Sequence, residues 1–180
     1  MKKAFLVLIF CIVFATGCSN ETEKSGPVLH QETIGDLAYE IKLNNNHFGM
    51  NEEIEVFTTV TNLGKEALAY VSGSSSCPNN AFINITHQES NTILSTKQGE
   101  GGCTSDLGMS ILEPGQMVED KGIFISKYHS KSGLEPALSG TYDVKVSLPP
   151  EGIETTEDYQ SKLINPRPST KTQIILSDNN

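Results

Sequence analysis

The chain has no tryptophan, only 7% aromatic residues, and just 13 Lys and Arg against 22 Asp and Glu. A formal net charge of −9 leaves no basic face of the kind that nucleic acid or anionic lipid selects, so no nucleic-acid partner is expected. No apolar run reaches the roughly 20 residues that a membrane-spanning helix needs. Signatures of chemistry are missing too. There is no Gly-x-Ser-x-Gly elbow, and Ser74, Ser75 and Ser76 read as a solvated loop without a partnered histidine. His30, His47, His87 and His129 are scattered with no helical i, i+4 pair, while Met50, Met109 and Met117 make no methionine-rich motif. Gly99 to Gly102 has no Lys-Ser/Thr sequel, so it is no phosphate loop. The acidic run from Glu151 to Asp158 lacks an EF-hand spacing and reads as solvated. The expectation is a non-enzymatic module with no metal and no other cofactor.

What is present begins at the N-terminus. Lys2 and Lys3 precede an apolar stretch from Ala4 to Phe14, and Ala15-Thr16-Gly17 then place small residues directly before Cys18. This arrangement resembles the lipobox of bacterial lipoproteins, with Ala15 where leucine is commoner. The resemblance implies that residues 1–17 are a signal peptide and that Cys18 is lipidated and becomes the mature N-terminus. It also implies a globular part held at the extracytoplasmic face of the cell membrane, with the membrane as a partner through that anchor. At about 0.8 kcal/mol per buried CH₂, two acyl chains hold far more firmly than one. Removing residues 1–17 discards Lys2 and Lys3 and no acid, so the net charge falls to −11. Residues 18–33 are read as a flexible tether, because Ser19 to Gln31 is mostly Ser, Asn, Glu, Thr and Lys around Gly26-Pro27.

Cys11 falls in the signal segment and Cys18 is the lipid site, which leaves Cys77 and Cys103 in the folded part. Outside the membrane the pair is read as one disulfide, the alternatives being a metal pair or two free thiols. The flexible stretches Gly73 to Asn80 and Gln98 to Cys103 would be stapled together by it.

Residues 34–180 read as one β-domain. Gly140 to Leu148 is the clearest strand: Tyr142, Val144, Val146 and Leu148 alternate with Thr141, Asp143, Lys145 and Ser147, and Pro149-Pro150 end it. Leu37 to Leu43 alternates in the same way. Ile54 to Thr61 and Ala67 to Val71, joined by Asn62-Leu63-Gly64-Lys65, read as an antiparallel hairpin. Phe82 to Thr86, a weaker Thr92 to Ser95, Met117 to Ile125 and Thr170 to Leu176 complete the set. Glu113-Pro114-Gly115-Gln116 is a turn in which Pro114 presets its own dihedral and Gly115 takes a positive one. Ser126 to Ser139 is expected to be a long loop, and Asp158 to Leu163 to hold a turn of helix. Seven to eight antiparallel strands with a turn every 8 to 12 residues or so make an all-β, immunoglobulin-like β-sandwich, with a partly open barrel as the competing arrangement.

Three motifs in order, Val60-Thr61-Asn62-Leu63-Gly64, Leu112-Glu113-Pro114-Gly115-Gln116 and Gly140-Thr141-Tyr142-Asp143-Val144-Lys145-Val146, resemble bacterial extracytoplasmic immunoglobulin-like domains. Among these the chain is most similar to the domain named for the intracellular proteinase inhibitor BsuPI, over Leu37 to Leu148. The resemblance implies structural roles for Tyr142, Pro114 and Gly115, with the Tyr142 hydroxyl tied to nearby backbone as a tyrosine corner. The anchor, the strand count and the absence of a catalytic constellation point to binding of a protein or cell-envelope partner through loops at one end of the sandwich, while the resemblance implies the alternative, proteinase inhibition through Ser126 to Ser139 or the disulfide loop.

Overall fold

The computed structural model describes residues 26–97, 103–104, 106–155 and 161–178. Fourteen strands follow in chain order: β1 (Val28–Ile34), β2 (Leu37–Leu43), β3 (His47–Gly49), β4 (Ile54–Asn62), β5 (Leu68–Val71), β6 (Phe82–His87), β7 (Met109–Leu112), β8 (Met117–Phe124), β9 (Lys127–Ser130), β10 (Gly133–Pro136), β11 (Gly140–Ser147), β12 (Gly152–Thr155), β13 (Ser161–Ile164) and β14 (Ser169–Ser177). One sheet has the order β1-β2-β4-β8 and the other β3-β14-β11-β6, with three two-stranded ribbons, β5-β7, β9-β10 and β12-β13, around them. In immunoglobulin terms β2, β4 and β8 stand for A, B and E, and β6, β11 and β14 for C, F and G. The fold is the expected all-β, immunoglobulin-like sandwich, and the two main sheets supply eight strands.

Period-2 alternation explains which faces meet. Leu37, Tyr39, Ile41 and Leu43 of β2 and Ile54, Val56 and Val60 of β4 turn inward against Tyr142, Val144 and Val146 of β11, Ile85 of β6, and Ile174 and Leu176 of β14. Each of the aliphatic side chains stabilises by about 1.5 to 3 kcal/mol relative to leaving it exposed. The strand β11 lies between β14 and β6 in full register, from Gly140 opposite Leu176 to Ser147 opposite both Ser169 and Phe82. Its first residue has to be glycine: φ is +142°, and a Cβ there would lie 2.6 Å from Nε2 of His87. Two residues on, the Tyr142 hydroxyl donates to the Leu138 carbonyl at 2.7 Å, which makes the tyrosine corner. Gly115 takes φ +76° and the Gln116 N–H donates to the Glu113 carbonyl at 3.0 Å, so the Pro114-Gly115 turn is as expected.

Several elements differ from the sequence expectation. The tether assigned to 18–33 overlaps β1, whose Val28 to Thr33 pair with Leu43 to Ala38. A polar composition concealed it, since only Val28 and Ile34 pack on the core. The strands β4 and β5 do not form a hairpin. β4 is taken up by β2 and β8, and β5 pairs with β7. Within Ser126 to Ser139, Lys127 to Ser130 pairs with Gly133 to Pro136, and Glu135 locks the ribbon by accepting from Ser130 Oγ at 2.5 Å and Tyr128 at 2.9 Å. Ser161 to Leu163, placed in a turn of helix, belong to strand β13, while Asp158 to Gln160 lie outside the described residues. Finally, β3 pairs with β14 in parallel, the exception to an otherwise antiparallel set.

The two open sides of the sandwich are sewn differently. On one side the segment Thr92 to Lys97 crosses between the sheets: Leu94 N–H donates to the Ile85 carbonyl at 2.9 Å, Ile125 N–H to Ser95 at 3.0 Å, and Lys97 N–H to Ile123 at 2.7 Å. On the other side Thr170 of β14 donates its hydroxyl to Glu32 of β1 at 2.5 Å, and its oxygen lies 2.7 Å from Nε2 of His30. Nearby, Tyr39 donates to the Pro168 carbonyl at 2.6 Å. Burial pushes the Tyr39 hydroxyl up to about 12, with the backbone of Leu148 and the Arg167 guanidinium pulling the other way.

Two measurements check these contacts. Tyr142→Phe deletes one hydroxyl and leaves the Leu138 carbonyl without its donor, so urea unfolding should show a loss of about 1 kcal/mol with an unchanged slope. Because the Tyr39 pKa is raised on folding, its contribution is complete below about pH 10 and is lost as pH rises toward 12. Denaturation across that window should show a steeper alkaline decline in the wild type than in Tyr39→Phe.

Candidate functional site

The described chain enters at Gly26, whose N–H donates to Asn46 Oδ1 at 3.0 Å, and Asn46 in turn accepts from the Ile175 N–H at 2.8 Å. That end also holds Leu43, Ile54, Phe124, Gly140 and the C-terminal end of β14. The registers therefore send the β4–β6 and β11–β14 connections to the opposite end. These correspond to the B–C and F–G loops, which carry recognition in variable immunoglobulin domains. Thus the disulfide loop, the β5-β7 ribbon and the β12-β13 hairpin gather at the end remote from the point of entry.

Asn62, at the far end of β4, organises this region. Its side chain is wholly buried, and each of its groups has a partner: Nδ2 donates to the carbonyls of Glu66 at 2.8 Å and Leu112 at 3.0 Å, and Oδ1 accepts the Gly64 N–H at 2.9 Å. Its backbone donates to Gln116 O at 3.0 Å and accepts from Gly115 N–H at 2.7 Å. One residue thereby joins the β4–β5 turn, the end of β7 and the Pro114-Gly115 turn.

The disulfide between Cys77 and Cys103 is formed, with an S–S distance of 1.99 Å, closing a separation of 26 residues. Around it the loop bonds to itself. Ser76 Oγ accepts the Thr104 N–H at 2.8 Å, and the Asp106 carboxylate accepts the Ser75 N–H at 3.0 Å. Hydrogen bonds from Thr104, then Ser75, hold the Asp106 carboxyl below the usual carboxylate range. On the opposite flank, one oxygen of Asp120 in β8 accepts the N–H groups of both Asn80 (2.6 Å) and Ala81 (2.9 Å), fixing where the loop joins β6. Of the three serines read as loop solvation, none has a histidine partner among its hydrogen bonds.

The rim of this end is apolar as well as polar. Leu63, Leu107, Met109, Ile111, Met117 and Leu163 are all roughly half exposed, and Ile153 faces Leu163 across the β12-β13 ribbon. Strand periodicity could not single these residues out, because an exposed leucine and a core leucine read alike until the sheets are placed.

The other predicted positions separate. Tyr142 supports the entry end, Pro114 and Gly115 support the remote end, and Cys18 lies outside the described residues. The His30, Glu32 and Thr170 trio has the residue types of a hydroxyl nucleophile with its base. Thr170, however, is 1% exposed, so its hydroxyl serves as a clasp between sheets. Among the described residues no group of three or more His, Cys, Asp or Glu is placed to hold a metal ion.

No family model matches the chain, and no curated protein matches it. Solved structures to which it is similar include a β-glucosidase from Erythrobacter marinus, at TM-score 0.42 and 14% identity over 84% of this chain. They also include a Listeria innocua β-glucosidase in complex with glucose, at TM-score 0.39 and 9% identity over 84% of this chain. The chain spans 16% of the length of each. At this level of superposition the likeness says nothing about activity.

Removing the disulfide tests its part in the loop. The Cys77→Ser, Cys103→Ser double variant should lose about 3.5 kcal/mol of stability, the loop-closure value for a separation of 26 residues, in denaturant titration. Hydrogen exchange should quicken at Ser75 and Thr104, whose amides the loop protects.

Proposed function

We propose that the chain is a lipid-anchored, extracytoplasmic, non-enzymatic binding domain. Cys18 holds it to the cell membrane, and a protein or cell-envelope component is taken at the end carrying the B–C and F–G connections. One observation carries this reading: the described chain enters at Gly26 at one end of the sandwich, while the stapled loop and the apolar rim lie at the other. An anchor upstream of Gly26 then leaves the rim facing away from the lipid. The strand β1 begins at Val28, so the tether reduces to roughly Ser19 to Pro27. The acidic net charge gives the anionic surface no hold of its own on the domain, so attachment rests on the acyl chains.

The proteinase-inhibitor alternative needs a loop that enters a protease cleft. Lys127 to Pro136 is a paired ribbon at the entry end, which leaves the disulfide loop as the segment that would serve.

The test is acyl labelling. Wild-type chain should take up labelled palmitate and shorten by the length of residues 1–17, and Cys18→Ser should take up no label and remain at the uncleaved length. Palmitate uptake by Cys18→Ser equal to wild type would reject Cys18 as the lipid site.

A further inference from the structure

The free edge of β7 is the feature at the remote end that the reading above leaves unused. Ser72 N–H donates to the Gly108 carbonyl at 2.9 Å, and Gly108 N–H donates to Gly73 at 2.5 Å. With Ser110 opposite Tyr70 and Leu112 opposite Leu68, the backbone groups of Gly108, Ser110 and Leu112 turn toward β5. Alternation along an extended strand turns the N–H and C=O groups of Met109 and Ile111 the other way. The far side of β5 obeys the same rule and is occupied: Val71 N–H donates to Pro150 at 2.9 Å, and Arg167 Nη2 donates to the Ala69 carbonyl at 3.0 Å. So β5 is covered on both sides. No described residue pairs with the outer edge of β7. The side chains of Met109 and Ile111 are 56% and 59% exposed beside that edge.

Two donors and two acceptors at alternate positions are matched by an extended polypeptide. Charge selects which kind. Between Lys97 and Lys121 the sequence has no lysine or arginine, and Asp106 and Glu113 stand on either side of β7. A second copy of this chain, added antiparallel about a two-fold axis with Met109 opposite Ile111, would bring Asp106 of one chain beside Glu113 of the other. Like charges facing across a strand pair are unfavourable, so the edge is guarded against itself. A strand of opposite sign meets no such opposition.

We propose that β7 accepts, by strand addition at its outer edge, an extended segment of a partner protein with apolar residues at two alternate positions and lysine or arginine on both sides. This names the partner class for the binding reading above and rests on it. The Met109 and Ile111 backbone groups supply the main-chain pairing, their side chains the apolar contact, and Asp106 and Glu113 the preference for cations.

The experiment pans phage-displayed random nonapeptides over the full-length chain in detergent micelles. Enriched peptides should carry two alternate apolar residues flanked by Lys or Arg, and their affinity should fall with added salt. Ile111→Pro removes the outward N–H at a position where an edge strand tolerates proline, and should weaken those peptides at least about tenfold. Ile111→Lys keeps the donor but sets a cation against the cationic flanks, and should weaken them even if the proline variant fails to fold. Melting temperatures are measured for both. Enriched peptides that bind both folded variants like wild type would overturn the edge assignment, as would enrichment of no peptide at all. So would a concentration-dependent dimer in sedimentation that Ile111→Lys dissolves, since the edge would then serve a second copy. An envelope protein retained equally by wild type and both variants would leave the binding reading standing and remove β7 from it.

Discussion

The buried amide of Asn62 is the contact on which the remote end of the sandwich depends. An amide taken out of water without partners costs about 1 to 3 kcal/mol, so a wholly buried asparagine has to be paired where it lies. Here both its donor hydrogens and its acceptor are used, and the partners are backbone groups from three separate segments. Glu66 and Gly64 fix the turn out of β4, and Leu112 fixes the end of β7. Gly115 and Gln116 bond to the Asn62 backbone and so set the start of β8. The edge offered by Ile111 and Met109 is held in place, one and three residues before Leu112, by the same amide that closes the turn.

A sandwich with two open sides needs something along each seam, and this one uses different chemistry on each. Thr92 to Lys97 acts as a backbone strap, whose N–H groups reach Ile85 on one sheet and Ile123 on the other. The β1 and β14 side is joined by side chains, with Thr170 between Glu32 and His30 and Tyr39 reaching Pro168. Among the described residues, unpaired backbone remains along the outer edge of β7, away from both seams. The acids on either side of that ribbon guard it against a second copy. A short edge flanked by like charges is also how proteins keep an exposed strand from aggregating, so one arrangement serves solubility and selectivity together.

The proposed anchor and the proposed binding end are related through the strand directions. Entry at Gly26 and departure of the β4–β6 connection at the other end follow from β4 running away from the entry point and β11 running the same way. The stapled loop adds rigidity at the remote end, where Asp120 and the disulfide hold its two flanks. Ordering a loop in advance lowers the entropy lost when it meets a partner.

The sequence by itself determined the all-β class, the β11 strand with its glycine start and proline stop, the Pro114-Gly115 turn and the Tyr142 corner. Each is a local matter, set by a two-residue period, a fixed proline φ, or a hydroxyl reaching four residues back. The Cys77 and Cys103 pairing was legible as well, because one pair in the folded part allows one bridge. Other features were decided only by the tertiary structure. The strand β1 was hidden by its polar residues: it pairs with neighbouring β2, but His30 and Glu32 find their cross-sheet partner, Thr170, some 140 residues away. β4 and β5 looked like a hairpin because a turn joined them, yet sheet closure gave β4 to β2 and β8. The free edge of β7 was invisible for the same reason: which side of a strand carries unpaired groups depends on its neighbours, and those come from the whole chain.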